Sequence, residues 1–369
     1  MRIFIEPGES LMFRTGRPFE AGESNFAESL FPPTPETLQG ALRAAIATHW
    51  DPDLNKAFAK PELTALIGDR TSYGCFRITS ITLGRYGTST PVSIERLFPS
   101  PSHILCDEQG KLRLQPELKK NVQSNLPTGI THLLVPERET AGKLRQLGGW
   151  LTETSLFEAL RANGDGTKLE KISTNEIYQH EPRMGIGMQN STKSTRDGFL
   201  YQSLMIRMQP HYGFVVDIRL STTPANHRLQ DDAQTQTALK LPDEGWLTLG
   251  GEQRAARYRI VPSPTENNEK LSRTGRLLYI ATPAYFTEGW RPSRNFDPFD
   301  KPIAAAVGRP ELIGGWKLNP GDAKGDQKSA RRCVPPGSVY FFEQSVTVPG
   351  PLTEYGQEIG YGIAYTGEW

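Results

Sequence analysis

The residues best suited to catalysis are few and poorly spaced for it. Six histidines and three cysteines occur in 369 residues. No two histidines have the H-x-x-x-H or H-E-x-x-H spacing that places two imidazoles on one helix face for a metal, and no C-x-x-C exists. Cys75, Cys106 and Cys333 are odd in number and far apart. They support neither a disulfide framework nor a thiolate metal site, and read as small half-buried apolar side chains. G-x-S-x-G, the phosphate-binding loop and the kinase motifs are missing, which leaves His49, His180 and His211 as general acid–base candidates only through partners distant in sequence. The remaining chemistry belongs to guanidinium groups set beside glycines and aromatic rings. Within residues 183–207, Arg183, Lys193, Arg196 and Arg207 face the single acid Asp197, and Phe199 and Tyr201 lie among them. Within 252–276, Arg254, Arg257, Arg259, Lys270, Arg273 and Arg276 outweigh Glu252, Glu266 and Glu269. Guanidinium on phosphate and rings on unpaired bases are what single-stranded nucleic acid recognition uses. A solvated charged face is the competing reading.

Two glycine loops accompany these cations. Trp246-Leu247-Thr248-Leu249-Gly250-Gly251-Glu252-Gln253-Arg254 runs into a strand-like 256–261, and Tyr355-Gly356-Gln357-Glu358-Ile359-Gly360-Tyr361-Gly362 runs into 363–365. They look like weak copies of one another. Neither is a dinucleotide fingerprint, because a strand follows and no helix N-terminus is present to hold a pyrophosphate. Such glycines serve either a tight turn with positive φ or a close approach of phosphate to main-chain N–H groups.

Positioning elements follow from local pattern. Residues 2–6 and 11–14 read as a strand pair split by Pro7-Gly8. Thr34-Pro35-Glu36 is a helix start, with a capping hydroxyl, a proline where its missing N–H costs nothing, and an acid at the positive dipole end. Leu38, Leu42, Ala45 and Ile46 continue that helix to Asp51-Pro52. A helical pattern over 143–162 is broken by Gly148-Gly149, and 100–131 and 221–243 read as long loops. Residues 200–208 and 212–220 alternate as strands. A β-hairpin arm is expected from Arg183, with its tip in 188–198. Polar residues 262–274 suggest a boundary near 270, giving units 1–269 and 270–369.

Composition bounds the class. The net charge is +1, with 42 basic and 41 acidic residues, so any nucleic acid site must be local. Glycine and proline number 35 and 29 without a G-X-Y period, which excludes collagen and favours a turn-rich globular chain. No apolar run is long enough to cross a bilayer, and residues 1–10 lack a signal-peptide core. The expectation is a cytoplasmic protein with no membrane partner.

The ordered set Phe13-Arg14-Thr15-Gly16-Arg17-Pro18-Phe19, Leu30-Phe31-Pro32-Pro33-Thr34-Pro35-Glu36-Thr37-Leu38-Gln39-Gly40-Ala41-Leu42-Arg43, Pro182-Arg183-Met184-Gly185-Ile186-Gly187, Asp197-Gly198-Phe199-Leu200-Tyr201, Leu249-Gly250-Gly251-Glu252-Gln253-Arg254 and Ile359-Gly360-Tyr361-Gly362 resembles the third-subunit family of type III-B (Cmr) CRISPR effector complexes, in the RAMP superfamily. The resemblance spans nearly the whole chain. It implies an α+β fold of two ferredoxin-like domains, each with a glycine-rich loop, plus a β-hairpin thumb. It further implies a non-catalytic subunit that holds the 5′ tag of the guide RNA. Its neighbours would be the large polymerase-like subunit and the backbone subunits, with target RNA contacted indirectly and no cofactor or metal. On that reading Arg14, Arg17, Arg183, Lys193, Arg196 and Arg254 contact phosphates, while Gly250, Gly251, Gly360 and Gly362 admit the RNA backbone. Two rivals remain open: a metal-independent endoribonuclease of the same superfamily using His49 or His211, and a protein scaffold that touches no RNA.

Overall fold

A computed structural model describes residues 1–15, 26–69, 71–87, 93–118, 126–140, 142–164, 169–222, 231–263, 271–317 and 326–369. The fold is α+β, with helices and mostly antiparallel sheets; Phe26–Glu28 pairs in parallel with Ser194–Met208. The chain forms two compact units, each discontinuous in sequence. One comprises Met1–Ile78, Asn175–Val261 and Leu312–Arg331; the other comprises Thr79–Thr174, Pro262–Glu311 and Arg332–Trp369.

In the first unit, strand Arg2–Pro7 lies between Tyr212–Leu220 and Ala255–Val261, and Glu244–Thr248 pairs outside the last of these. The strand is covered on both faces over residues 2–5, and Ile3 and Ile5 are buried together with their register partners Val216, Phe214 and Tyr258. Helix Pro35–Trp50 forms where the capping residues predict. The Thr34 hydroxyl accepts from the Thr37 N–H, Pro35 opens the first turn, and Leu38, Leu42, Ala45 and Ile46 are buried. The helix end is tied down by His49 Nε2 and the Tyr258 hydroxyl, 3.0 Å apart, and by Trp50 Nε1 donating to the Leu239 carbonyl. Phe31, just before the helix, packs on Tyr178 and Phe214. Lys328, on the hairpin of Glu311–Lys317 and Asp326–Cys333, pairs with Glu36 at 3.0 Å.

In the second unit, Thr274–Ile280 lies between Val339–Thr347 and Ala364–Gly367. Period-two alternation sends Leu277, Tyr279, Phe341 and Tyr365 to one core with Phe98, Leu151 and Leu156, and Leu278, Ile280, Tyr340 and Phe342 to another with Phe286 and Phe299. This explains why the division differs from a cut near residue 270. The sheet of the last hundred residues is apolar on both faces, and one face is covered by residues from 98–169.

Local expectations also change. Residues 11–14 do not pair with Arg2–Pro7, whose two edges are already taken; they bridge instead through Leu11 to Ile206 and through Arg14 to Ser29. The helix expected over 143–162 is only Glu153–Ala159. Gly148 and Gly149 both take positive φ, turning the chain between the strands Arg145–Gln146 and Trp150–Thr152. The segments read as loops contain strands Ile104–Asp107 and Gly110–Leu118 and helix Asp232–Leu239.

Candidate nucleic-acid interface

Residues 8–14 are the axis of the site. Leu11 exchanges two backbone hydrogen bonds with Ile206 of the long hairpin, and the Met12 carbonyl accepts from the Gly251 N–H at 2.8 Å. The same short segment thus joins the hairpin base to the first glycine loop. Arg183 Nη2 donates to the buried Ser10 hydroxyl at 2.7 Å, and Arg254 Nη1 donates to Glu9 Oε2 at 2.8 Å. Arg14 follows two residues after Met12, with an exposed side chain. The structure therefore brings Arg14, Arg183, Gly250, Gly251 and Arg254 together.

The hairpin comprises Tyr178–Gln189 and Ser194–Met208. Directly opposed residues share a face, so the register assigns Met184, Ile186 and Leu200 to one side and Arg183, Gly185, Tyr201 and Ser203 to the other. The first side, which also carries Gln202, holds these apolar side chains open to water, with Met184 64% and Leu200 50% exposed. On the second side the Tyr201 ring lies across Gly185, where a Cβ would come within 2.2 Å of the ring. Below it, Glu181 accepts from Arg183 Nε through Oε1 at 2.8 Å and from Arg207 Nε through Oε2. Arg207 belongs to the local charge cluster but not to the expected phosphate ligands; its place beside Arg183 depends on the register, which the sequence alone does not display. The two guanidinium groups, Arg207 first, hold the Glu181 carboxyl down at about 2.

The first glycine loop is exposed and strained. Gly250 has φ 76° and ψ −162°, and Glu252 and Gln253 both take positive φ without being glycine. Arg254 is held by two carboxylates, Glu9 and Glu252, which raise its pKa further. The second loop is a different object. Gly360 and Gly362 have φ 97° and 66° but are buried, and a Cβ on Gly362 would meet the Leu352 carbonyl at 2.4 Å. Gly362 thus admits the chain's own backbone, and both glycines are buried, unlike Gly250. Lys193 sits at the exposed hairpin tip with φ 54°. Arg17 lies outside the described residues, as does the side chain of Arg196.

The histidines divide by role. His49 is engaged by Tyr258, His180 packs edge-on to Tyr178, and His211 takes positive φ in a turn. Among the described residues no three His, Cys, Asp or Glu side chains cluster to hold a metal, and no helix is long and apolar enough to cross a membrane.

The model of the family described as "CRISPR-associated protein (Cas_Cmr3)" matches residues 3–369. The chain belongs to the Cas_Cmr3 family. The "CRISPR system CMR subunit Cmr3" of Saccharolobus solfataricus is 23% identical over 265 residues, covering 70% of this chain and 63% of that protein, so the match spans less than two thirds of the relative's length. Among solved structures, a chain of the type III-B Cmr-beta complex bound to cognate target RNA and AMPPnP is 17% identical, with 92% of this chain and 86% of that chain covered and a TM-score of 0.49. A chain of the Csm1–Csm4 cassette in complex with pppApA is 10% identical, with 96% and 95% covered and a TM-score of 0.29. Within this Cas_Cmr3 chain, the segments containing Leu30, Arg183, Gly251 and Arg254 meet residues 8–14, whereas Leu200 and Tyr201 pair farther along the hairpin and the loop ending at Gly362 is buried.

Proposed function

We propose that the chain is a non-catalytic, RNA-binding subunit of a type III-B CRISPR effector complex, built on two ferredoxin-like RAMP domains and holding the 5′ tag of the guide RNA. Its neighbours in that assembly are the large polymerase-like subunit and the backbone subunits, and it meets target RNA only through the guide. Membership of the Cas_Cmr3 family supports the assembly. The observation that carries the RNA role is the convergence of Arg183, Arg207 and Arg14 with an exposed glycine loop on one short backbone segment, beside a hairpin whose other face is an open row of Met184, Ile186 and Leu200. Guanidinium groups fix the phosphate backbone, and apolar side chains pack on unstacked bases.

The test is a complex reconstituted with a 5′-labelled guide and carrying Arg183→Ala/Arg207→Ala. Crosslinks from the guide's 5′ end to this chain fall, and the salt slope of guide retention drops by about 0.7 for each phosphate that is no longer neutralised. Unchanged crosslinks and an unchanged slope at two salt concentrations refute the assignment.

A further inference from the structure

The two arginine centres differ in charge balance. At the hairpin base, two guanidinium groups share one carboxylate; at the glycine loop, one guanidinium group is shared by two carboxylates. The first centre keeps a net positive charge and the second a net negative one. Arg254 is therefore the clamp that holds Glu9, and with it Ser10, in place, whereas Arg183 and Arg207 form the half that attracts an anion.

Glu181 presents one oxygen to each guanidinium group, Oε1 to Arg183 and Oε2 to Arg207. A phosphodiester has the same layout, with two non-bridging oxygens sharing one negative charge, and guanidinium groups bind it by the same charge-assisted hydrogen bonds. The group is open to exchange: the side chains of Glu181, Arg183 and Arg207 are 29%, 39% and 52% exposed. The carboxylate stays ionised throughout the neutral range, so it is a permanent occupant.

We propose that Glu181 is an internal stand-in for an RNA phosphate: it occupies the Arg183–Arg207 pair in the free chain and is displaced when the guide RNA binds. Glu181 is thereby a specificity residue. Any single-stranded RNA must break two ion pairs to enter, and only a guide held by further interactions across the assembly recovers that cost. The inference rests on the RNA-binding reading and extends it to discrimination between guide and unrelated RNA.

The probe is a fluorescein-labelled oligouridylate of about 12 nucleotides, titrated by anisotropy with the purified full chain at roughly 100 mM KCl. Glu181→Gln keeps the shape and removes the charge. It tightens binding by about tenfold, the worth of two exposed ion pairs, and Glu181→Asp, with shorter reach, gives an intermediate gain. Glu244→Gln makes the same change of net charge at a carboxylate paired with Arg257 and opposite Arg259, away from the hairpin, and gives little gain. Adding Arg183→Ala/Arg207→Ala to Glu181→Gln abolishes the gain. Binding by Glu181→Gln no tighter than wild type overturns the proposal, as does a gain that survives removal of both arginines. Failure here together with reduced guide crosslinks in the arginine variant sinks only the stand-in role; retained crosslinks sink the RNA-binding reading itself.

Discussion

Gly250 and Gly251 are adjacent in sequence, yet substitution by alanine separates them sharply. At Gly250 the backbone has φ 76° and ψ −162°, a region almost confined to glycine, and a Cβ would stand 2.6 Å from the Met12 carbonyl oxygen and 3.1 Å from two carbons of the Phe13 ring. The carbonyl cannot retreat freely because it accepts from Gly251, and the Phe13 ring is buried edge-on to Phe214. The backbone region costs about 1–3 kcal/mol for an L residue, and forcing buried neighbours apart costs about 1–3 kcal/mol more. A destabilisation of about 3–4 kcal/mol lowers the Tm of a unit of roughly 150–250 residues by about 6–15 °C. At Gly251 the φ is not positive and the nearest atom to a Cβ is 3.5 Å away, an ordinary van der Waals distance, so Gly251→Ala stays within about 0.5 kcal/mol of wild type. Calorimetric scans of the two variants decide the matter. If their Tm values agree to within about 2 °C, the packing argument for this loop is wrong.

Other outcomes follow from buried polar groups. The Arg113 guanidinium donates to the carbonyls of Glu158 at 2.7 Å, Ala162 at 3.3 Å and Arg161, closing the end of helix Glu153–Ala159; Arg113→Met orphans these acceptors and costs about 3 kcal/mol in urea unfolding. His103 is buried beside Phe341 and the Arg113 charge, and burial above all pushes its pKa down to about 3. Its folded value lies below the unfolded one of 6.5, so its contribution is complete above that pH and is lost as pH falls towards 3. Stability measured from pH 7.5 to 5 therefore declines with a component of up to about 1.4 kcal/mol per pH unit that His103→Phe removes. The Glu181 carboxyl, lowered from 4.5 to about 2, keeps its ion pairs down through pH 4.5 and loses them only towards 2. A carboxyl NMR titration that finds it near the ordinary value contradicts the pairing with Arg183 and Arg207.

What the sequence displays is what short-range physics determines. Thr34-Pro35-Glu36 starts a helix because capping and dipole act within one turn, and in residues 212–220 alternation shows only from Val216 on, where Asp217 and Arg219 are less buried than Val216, Ile218 and Leu220. The likeness of the two glycine loops is also legible: each holds a tight turn before its strand, at Gly251–Gln253 and Gln357–Ile359. Their difference is not. Glycine identity reports freedom of φ but not what fills the space it leaves, so Gly250 and Gly362 read alike although one is exposed and the other buried. A charge count that begins at Arg183 omits Glu181, whose weight comes from a cross-strand neighbour, Arg207, that only the register reveals. The compact units depart from a cut near 270 for the same reason: no local pattern tells Phe98, Leu151 and Leu156 that their apolar partners lie beyond residue 270.

The discontinuity of the two units has a consequence for biosynthesis. A ribosome adds about 5–20 residues per second, so roughly 3–10 s separate the emergence of Val261 from that of Leu312, which opens the last segment of the first unit. Until then Glu36 waits for Lys328. In the second unit, Phe98, Leu151 and Leu156 leave the tunnel well before Leu277, Phe341 and Tyr365 arrive to cover them. Newly made chains therefore carry an uncovered apolar surface for several seconds.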